Sequence, residues 1–174
     1  APVLNLALPA GIGGTIAWVR AVGEAVGRKK EAKDYIDQGL RYVMPRLNRV
    51  VSRTLAGKRV AIIATQDWLN VLPGFFAKEL GIETPVRIRR DRFPQGESRS
   101  ADRLNSLDRD FDPSVRTINH HIQGAVEGGG LDFIVGSYWE KSVLRKELSA
   151  IPFLEFGYPS KTSHYLRPTP VLGF

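Results

Sequence analysis

Residues 55–81 read LAGKRVAIIATQDWLNVLPGFFAKELG, and this stretch decides the fold. Behind a basic entry at Lys58 and Arg59, Val60 to Ala64 form an unbroken apolar run. A run that is apolar at every position, rather than at alternate ones, fits a strand buried on both faces, as in a parallel sheet flanked by helices. Thr65, Gln66 and Asp67 then supply polar groups suited to capping a helix. Leu69, Leu72, Phe76 and Leu80 recur at helical spacings of three and four, and Gly81 ends the pattern. Pro73 inside it predicts a kink or an irregular first turn. Strand, short polar turn and amphipathic helix make the first βα unit of an open α/β domain. Ligands in such folds meet the carboxyl ends of the strands, so Thr65, Gln66 and Asp67 stand where binding or chemistry is expected.

The same alternation continues downstream. Pro85 to Ile88 form a second, shorter strand expected near an edge. Residues 89–113 show no hydrophobic period and read as a long loop, with its arginines between 89 and 103 solvated rather than gathered as a docking surface. Ser114 caps a helix carrying Val115, Ile118, Ile122 and Val126, which stops at Gly128. Asp132 to Gly136 are the third strand, Ser137 starts a helix expected to run through Val143, Leu144 and Leu148, and Ile151 to Phe156 are the fourth strand. The tail from Gly157 has no clear period. These elements predict an α/β, three-layer Rossmann-like domain with a four-stranded parallel sheet in the order 2-1-3-4. The runs around Ile62 and Ile134 become its adjacent central strands.

Upstream, residues 1–9 are apolar and bounded by proline, consistent with a strand or an extended arm. Gly11, Gly13, Gly14 and Thr15 follow, leading into a helical pattern through Trp18, Val22 and Val26. A glycine-rich turn at a helix start can bind an anion through backbone N–H groups. The dinucleotide fingerprint is not met, since Ile16 stands where its third glycine belongs, and the plainer reading is a tight turn capped by Thr15. Ile36, Leu40, Val43, Leu47, Val50 and Val51 then mark one stripe of a long helix that Pro45 should kink or split. Arg41, Arg46, Arg49 and Arg53 occupy its remaining surface. The chain thus divides at the sequence level into an N-terminal helical extension, 1–56, and a Rossmann-like domain, 57–174.

Composition narrows the function classes. In 174 residues, 43% are hydrophobic and 25% charged, the balance of a globular chain, and no apolar run approaches a membrane span. Cysteine is absent, which removes disulfides, thiolate metal ligands and a cysteine nucleophile, and fits a reducing compartment, here taken as the cytoplasm. The formal net charge of +7 is spread among acidic residues rather than clustered, so no nucleic-acid partner is expected.

The candidates for chemistry are few. His120 and His121 are neighbours on a helix, pointing about 100° apart, which disfavours chelation of one metal. They read as a helix-surface pair. His164 follows the fourth strand and, with Glu140, is a candidate to handle protons. Ser137, Tyr138, Trp139 and Glu140 directly follow the third strand. That turn reads equally as a ligand-binding corner and as a plain cap with Trp139 in the core. Together with Thr65, Gln66 and Asp67 these residues should return to one edge of the sheet.

Six stretches in this order resemble a known family: LALPAGIGGT (6–15), LAGKRVAI (55–62), DWLNVLPGFFAKELG (67–81), LDFIVGSYWEK (131–141), IPFLEFGYP (151–159) and PTPVLGF (168–174). They are similar to component-1-type oxidoreductase subunits: the nitrogenase catalytic subunits, their cofactor-assembly scaffold relatives, and the dark-operative protochlorophyllide and chlorophyllide reductases. The resemblance implies the last of three similar α/β domains in a longer subunit, inactive alone, that helps shape a cleft for a metallocluster or a tetrapyrrole. It further implies as partners the remaining domains of the same subunit, a homologous subunit in a heterotetramer, and an ATP-dependent iron–sulfur reductase protein. No cofactor is expected on this chain alone; an iron–sulfur cluster would be held in the full-length complex by ligands outside it. Nothing here matches the cysteine or histidine that ligate the nitrogenase active-site cofactor, which favours a β-type or pigment-reductase-type subunit. Two other functions remain open on the residues alone, a cofactor-assembly scaffold domain and a free-standing basic module for a nucleotide or an acidic protein.

Overall fold

The computed structural model describes residues 3–90 and 114–156. Contacts divide them into two compact units. One comprises the chain up to Gly57 together with Val71–Ile82, and the other comprises Lys58–Asn70 with the residues after Glu83.

In the second unit, β1 (Arg59–Ala64), β2 (Glu83–Arg89), β3 (Phe133–Gly136) and β4 (Phe153–Glu155) form one sheet in the order β2-β1-β3-β4. All three pairings are parallel, and Ala61 and Ile62 lie opposite Ile134 and Val135. This Rossmann-like α/β arrangement is the one expected from the alternating pattern. The β1 run is apolar throughout because both its faces are covered. Ala61, Ile63 and Ile134 join Ile88, Ile118, Ile122 and Leu148 in one core cluster, while Val60, Ile62 and Val135 on the opposite face are equally buried. Helix α5 (Val115–Glu127) supplies Ile118 and Ile122 to that cluster from its apolar stripe. Its start is capped as read, with the Ser114 hydroxyl accepting the Thr117 N–H at 3.2 Å.

The helix after β3 is shorter than its sequence pattern suggested. α6 (Tyr138–Val143) stops before Leu144, which turns extended, and Leu148 enters the core from a separate 3-10 turn, Leu148–Ala150. Asn119 on α5 is the reason. Its side-chain amide donates to Val143 O at 2.9 Å and to Val115 O at 2.7 Å, and its Oδ1 accepts the Arg145 N–H at 2.7 Å. One side chain therefore takes up two backbone groups that a continuing helix would have paired within itself.

At the amino ends of the strands, Asp132 ties β1 and β3 together. It accepts from Lys58 Nζ at 2.6 Å and from the Arg59 N–H at 2.8 Å, while Arg59 reaches Gly130 O and Glu83. The Lys58 hydrogen bond first, and then the Arg59 backbone N–H, hold the Asp132 carboxyl below its ordinary value. A depressed folded-state value means stabilisation that is present above the unfolded pKa and lost as pH falls through the folded one. Asp132→Asn should therefore be less stable than the parent at neutral pH. The gap should narrow as pH is lowered from about 5 to about 2, read by denaturant unfolding. A gap independent of pH would show that the carboxylate charge is irrelevant.

The first unit is helical. Residues 3–10 belong to no strand, and the Ala10 N–H closes a tight turn onto Leu8 O just before the first helix. α1 (Gly11–Ala25) is followed by α2 (Lys29–Val50), which continues as a wide π turn, Val51–Leu55. Pro45 lies inside α2 without splitting it, so of the kink or split expected there the split does not occur, and the change to π geometry comes beyond Val50. Next to the missing Pro45 N–H, the Arg46 guanidinium donates to Tyr42 O at 3.1 Å. The segment read as one helix after β1 is in fact broken. A single turn, α3 (Gln66–Leu69), belongs to the sheet unit, whereas α4 (Leu72–Phe75) and its π turn Phe76–Leu80 belong to the helical one. Pro73 occupies the first turn of α4, where its missing N–H costs no hydrogen bond. Gly81 ends the segment with φ +65°, as read.

Candidate functional site

Strands β1 and β3 are neighbours whose connections lead to opposite sides of the sheet, and a crevice between their carboxyl ends is where such folds bind ligands. Of the sequence candidates, those that directly follow β1 and β3 leave the sheet at this edge. β1 delivers Thr65, Gln66 and Asp67; β3 delivers Ser137, Tyr138 and Glu140. Thr65 and Asp67 are exposed and Gln66 is half-buried, its amide donating to Asn70 Oδ1 at 2.7 Å. Thr65 occupies the N-cap position of α3 but its hydroxyl makes no capping bond, so that part of the capping reading is corrected. The turn is closed by its backbone, with the Leu69 N–H donating to Thr65 O.

Across the crevice, Ser137 does cap α6. Its hydroxyl accepts the Trp139 N–H at 3.3 Å and donates to Glu140, whose Oε2 also accepts the Ser137 N–H at 2.9 Å. This reciprocal arrangement is a capping box, and it holds Glu140 at 4% exposure. Arg90, the first residue beyond β2, brings its Nε to 3.8 Å from Glu140 Oε1, and its own N–H donates to Ala64 O. A buried carboxylate is thus matched by a cation from beyond β2, across β1, which offsets the cost of removing its charge from water. Tyr138 and Trp139 pack edge-on at 5.9 Å, and Trp139 is 44% exposed. The alternative that placed Trp139 in the core is therefore wrong: the α6 start turns its ring outward.

Gly136 fixes how closely these parts approach. A Cβ there would lie 3.1 Å from the Phe153 ring and 3.3 Å from both Glu140 Cβ and Ile63 O. On the β4 side, Phe156 donates its N–H to Gly136 O and stacks edge-to-face on Trp68 with ring centroids 4.7 Å apart. His164 lies outside the described residues, as do the arginine-rich loop and the tail. His120 and His121 are exposed on α5, their ring centroids 6.2 Å apart.

The glycine turn belongs to the helical unit. The helix begins at Gly11 itself, so Thr15 does not cap it; the Thr15 hydroxyl donates instead to Gly11 O at 2.6 Å within the helix. An anion does sit on this helix start, and the chain supplies it. Glu79 Oε2 accepts the Ile12 N–H at 2.7 Å and Oε1 the Gly13 N–H at 2.8 Å. Gly11 has φ +71°, and a Cβ there would fall 2.3 Å from the Phe75 ring, so glycine is required for this approach.

The family model described as nitrogenase component 1 type oxidoreductase matches residues 1–174. The chain belongs to this family. A solved structure, "Nitrogenase Cp1 at pH 6.5", matches with a TM-score of 0.66 and 22% identity over 94% of this chain. This member of the nitrogenase component 1 type family spans 35% of the length of that nitrogenase chain. Among curated proteins no match is found. No described helix is long and apolar enough to cross a membrane.

The residues of this family member do not fit an iron–sulfur cluster. The sequence contains no cysteine, and among the described residues no group of three histidines, aspartates or glutamates is placed to hold a metal ion. What the edge does offer is a wall of hydroxyl, amide and carboxylate groups, with one arginine–glutamate pair at its base.

Three contributors were not read from the sequence. Arg90 is hidden in an arginine-rich run that looks like loop, Glu79 looks like a solvated helix charge, and Asn119 is the polar residue directly after the stripe position Ile118. Only the last carries a signal, since a polar residue beside two core positions of a stripe needs a partner.

Proposed function

We propose that the chain is the C-terminal domain of a nitrogenase-like reductase catalytic-component subunit, and that its carboxyl edge forms one wall of the cleft that takes a metallocluster or a tetrapyrrole. The observation that carries this reading is the extent of the family match. It runs through all 174 residues, while the chain spans only 35% of the nitrogenase chain it matches. In this reading the chain works with the remaining domains of its subunit, a homologous partner subunit and an ATP-dependent iron–sulfur protein. Any cluster is held by ligands from those parts, not from this chain.

The role of the edge is to present and orient polar groups. Glu140 locks Ser137 in its cap and pairs with Arg90, and in this reading the exposed Thr65 and Asp67 and the adjoining Tyr138 meet the ligand at this edge. Glu140→Gln separates charge from structure, because glutamine at this position preserves a capping box. In the full-length complex, Glu140→Gln should lower substrate reduction per folded enzyme by about tenfold or more, the scale of a lost positioned group, a larger effect than its loss of folding stability. His164→Ala should act in the same direction. If both variants lower only the melting temperature, the edge is structural and the site assignment fails. A full-length complex that binds a cluster without turnover would instead be a cofactor-assembly scaffold.

A further inference from the structure

Helix α2 carries a feature that the sheet edge does not explain. Tyr35, Tyr42, Arg46, Arg49 and Arg53 are spaced by seven, four, three and four residues, which places them along one line of the helix, beside the stripe of Ile36, Leu40, Val43 and Leu47. All five are exposed; Tyr35 is 56% and Tyr42 63% accessible. The Arg46 guanidinium lies 3.7 Å from the Tyr42 ring centroid and donates to Tyr42 O, which holds both side chains in a fixed pose on the surface. Between Asp37 and Asp67 there is no acidic residue, and among the described residues no carboxylate lies within ion-pair distance of Arg46, Arg49 or Arg53.

Two ordinary explanations fall short. Cations near a helix C-terminus favour the macrodipole, but that effect is confined to the last turn and does not reach Arg46. Solvation alone accounts for charged residues, not for Tyr42, left more than half exposed on the same line. Arginine and tyrosine together, without lysine, match the composition of protein interface cores, where lysine is depleted. No lysine occurs between Lys33 and Lys58. A phosphate-tracking surface would draw on lysine as freely as on arginine.

We propose that this face of α2 docks an acidic protein surface, with Tyr42 as the central anchor and Arg46, Arg49 and Arg53 pairing with its carboxylates. The inference does not depend on the role assigned to the sheet edge. It is tested by fluorescence anisotropy on the whole chain, using a labelled 20-residue acidic helical peptide and a labelled 20-nucleotide single-stranded DNA as probes. The peptide should bind, more weakly as salt rises. Binding should weaken at least tenfold in the R46E/R49E double variant and several-fold in Y42A, which leaves the net charge unchanged. Because all these residues are exposed, the variants should keep the parent's melting temperature, measured alongside. Absence of peptide binding, or binding indifferent to R46E/R49E, overturns the proposal. DNA binding tighter than peptide binding and lost in the same variants overturns it too, in favour of a nucleic-acid surface.

Discussion

Replacing Ile62 by alanine is expected to lower the unfolding free energy by about 2–5 kcal/mol, the range for removing a large aliphatic side chain from a packed interior. Ile62 is fully buried on a central strand, with β2 on one side and β3 on the other, and pairs with Arg87 and Val135 in register. A strand enclosed in this way has little freedom to collapse onto the space left behind. The loss should therefore fall towards the upper part of that range, and Ile62→Val should cost only about 0.5–1.5 kcal/mol. Denaturant titration measures both. A loss below about 1 kcal/mol for the alanine variant would mean that the strand is not enclosed as described.

Asn119→Ala should be comparably severe for a different reason. Asn119 is 1% exposed, and its removal strands the Val143 carbonyl and the Arg145 N–H that it alone is seen to satisfy. Each backbone polar group left buried without a partner costs about 1–3 kcal/mol, so the pair amounts to roughly 2–6 kcal/mol where water is excluded, and towards the lower end at these part-buried bonds. Hydrogen exchange locates the effect. The amide of Arg145 should lose protection far more than that of Ile134 on the adjoining strand, because the damage begins where α6 meets its turn. Asn119→Asp restores an acceptor for Arg145 but no donor for Val143, and should recover part of the loss. Equal stability of Asn119→Ala and the parent would show that the bonds of Asn119 are replaceable by solvent.

The two substitutions mark different kinds of legibility. Ile62 could be chosen from the sequence, because five consecutive apolar residues behind a basic entry have few homes other than a doubly covered strand. Asn119 could not, because its role depends on a backbone more than twenty residues away.

The same distinction applies to the site. That Thr65, Gln66 and Asp67 and Ser137, Tyr138 and Glu140 would share an edge follows from strand order and direction alone, since parallel neighbours deliver their following residues to the same side. The capping box was written in the spacing of Ser137 and Glu140. The partnership of Arg90 with Glu140 was not, nor was that of Glu79 with the start of α1, for a carboxylate in a polar stretch has the same local signature whether it meets solvent or a distant N–H.

By itself, then, the sequence determined the periodicities: which runs are strands, which stripes are helices, the 2-1-3-4 order and the family. These depend on residues a few positions apart, where burial imposes a repeat of two or of about 3.6. Only the tertiary structure decided where helices stop, which charges are matched and which glycine is indispensable. Pro45, expected to kink or split its helix, does not split it, and α6 ends early at a clamp supplied by α5. Such outcomes are set by hydrogen-bond partners brought together by the fold, and the chain carries no local pattern that names them.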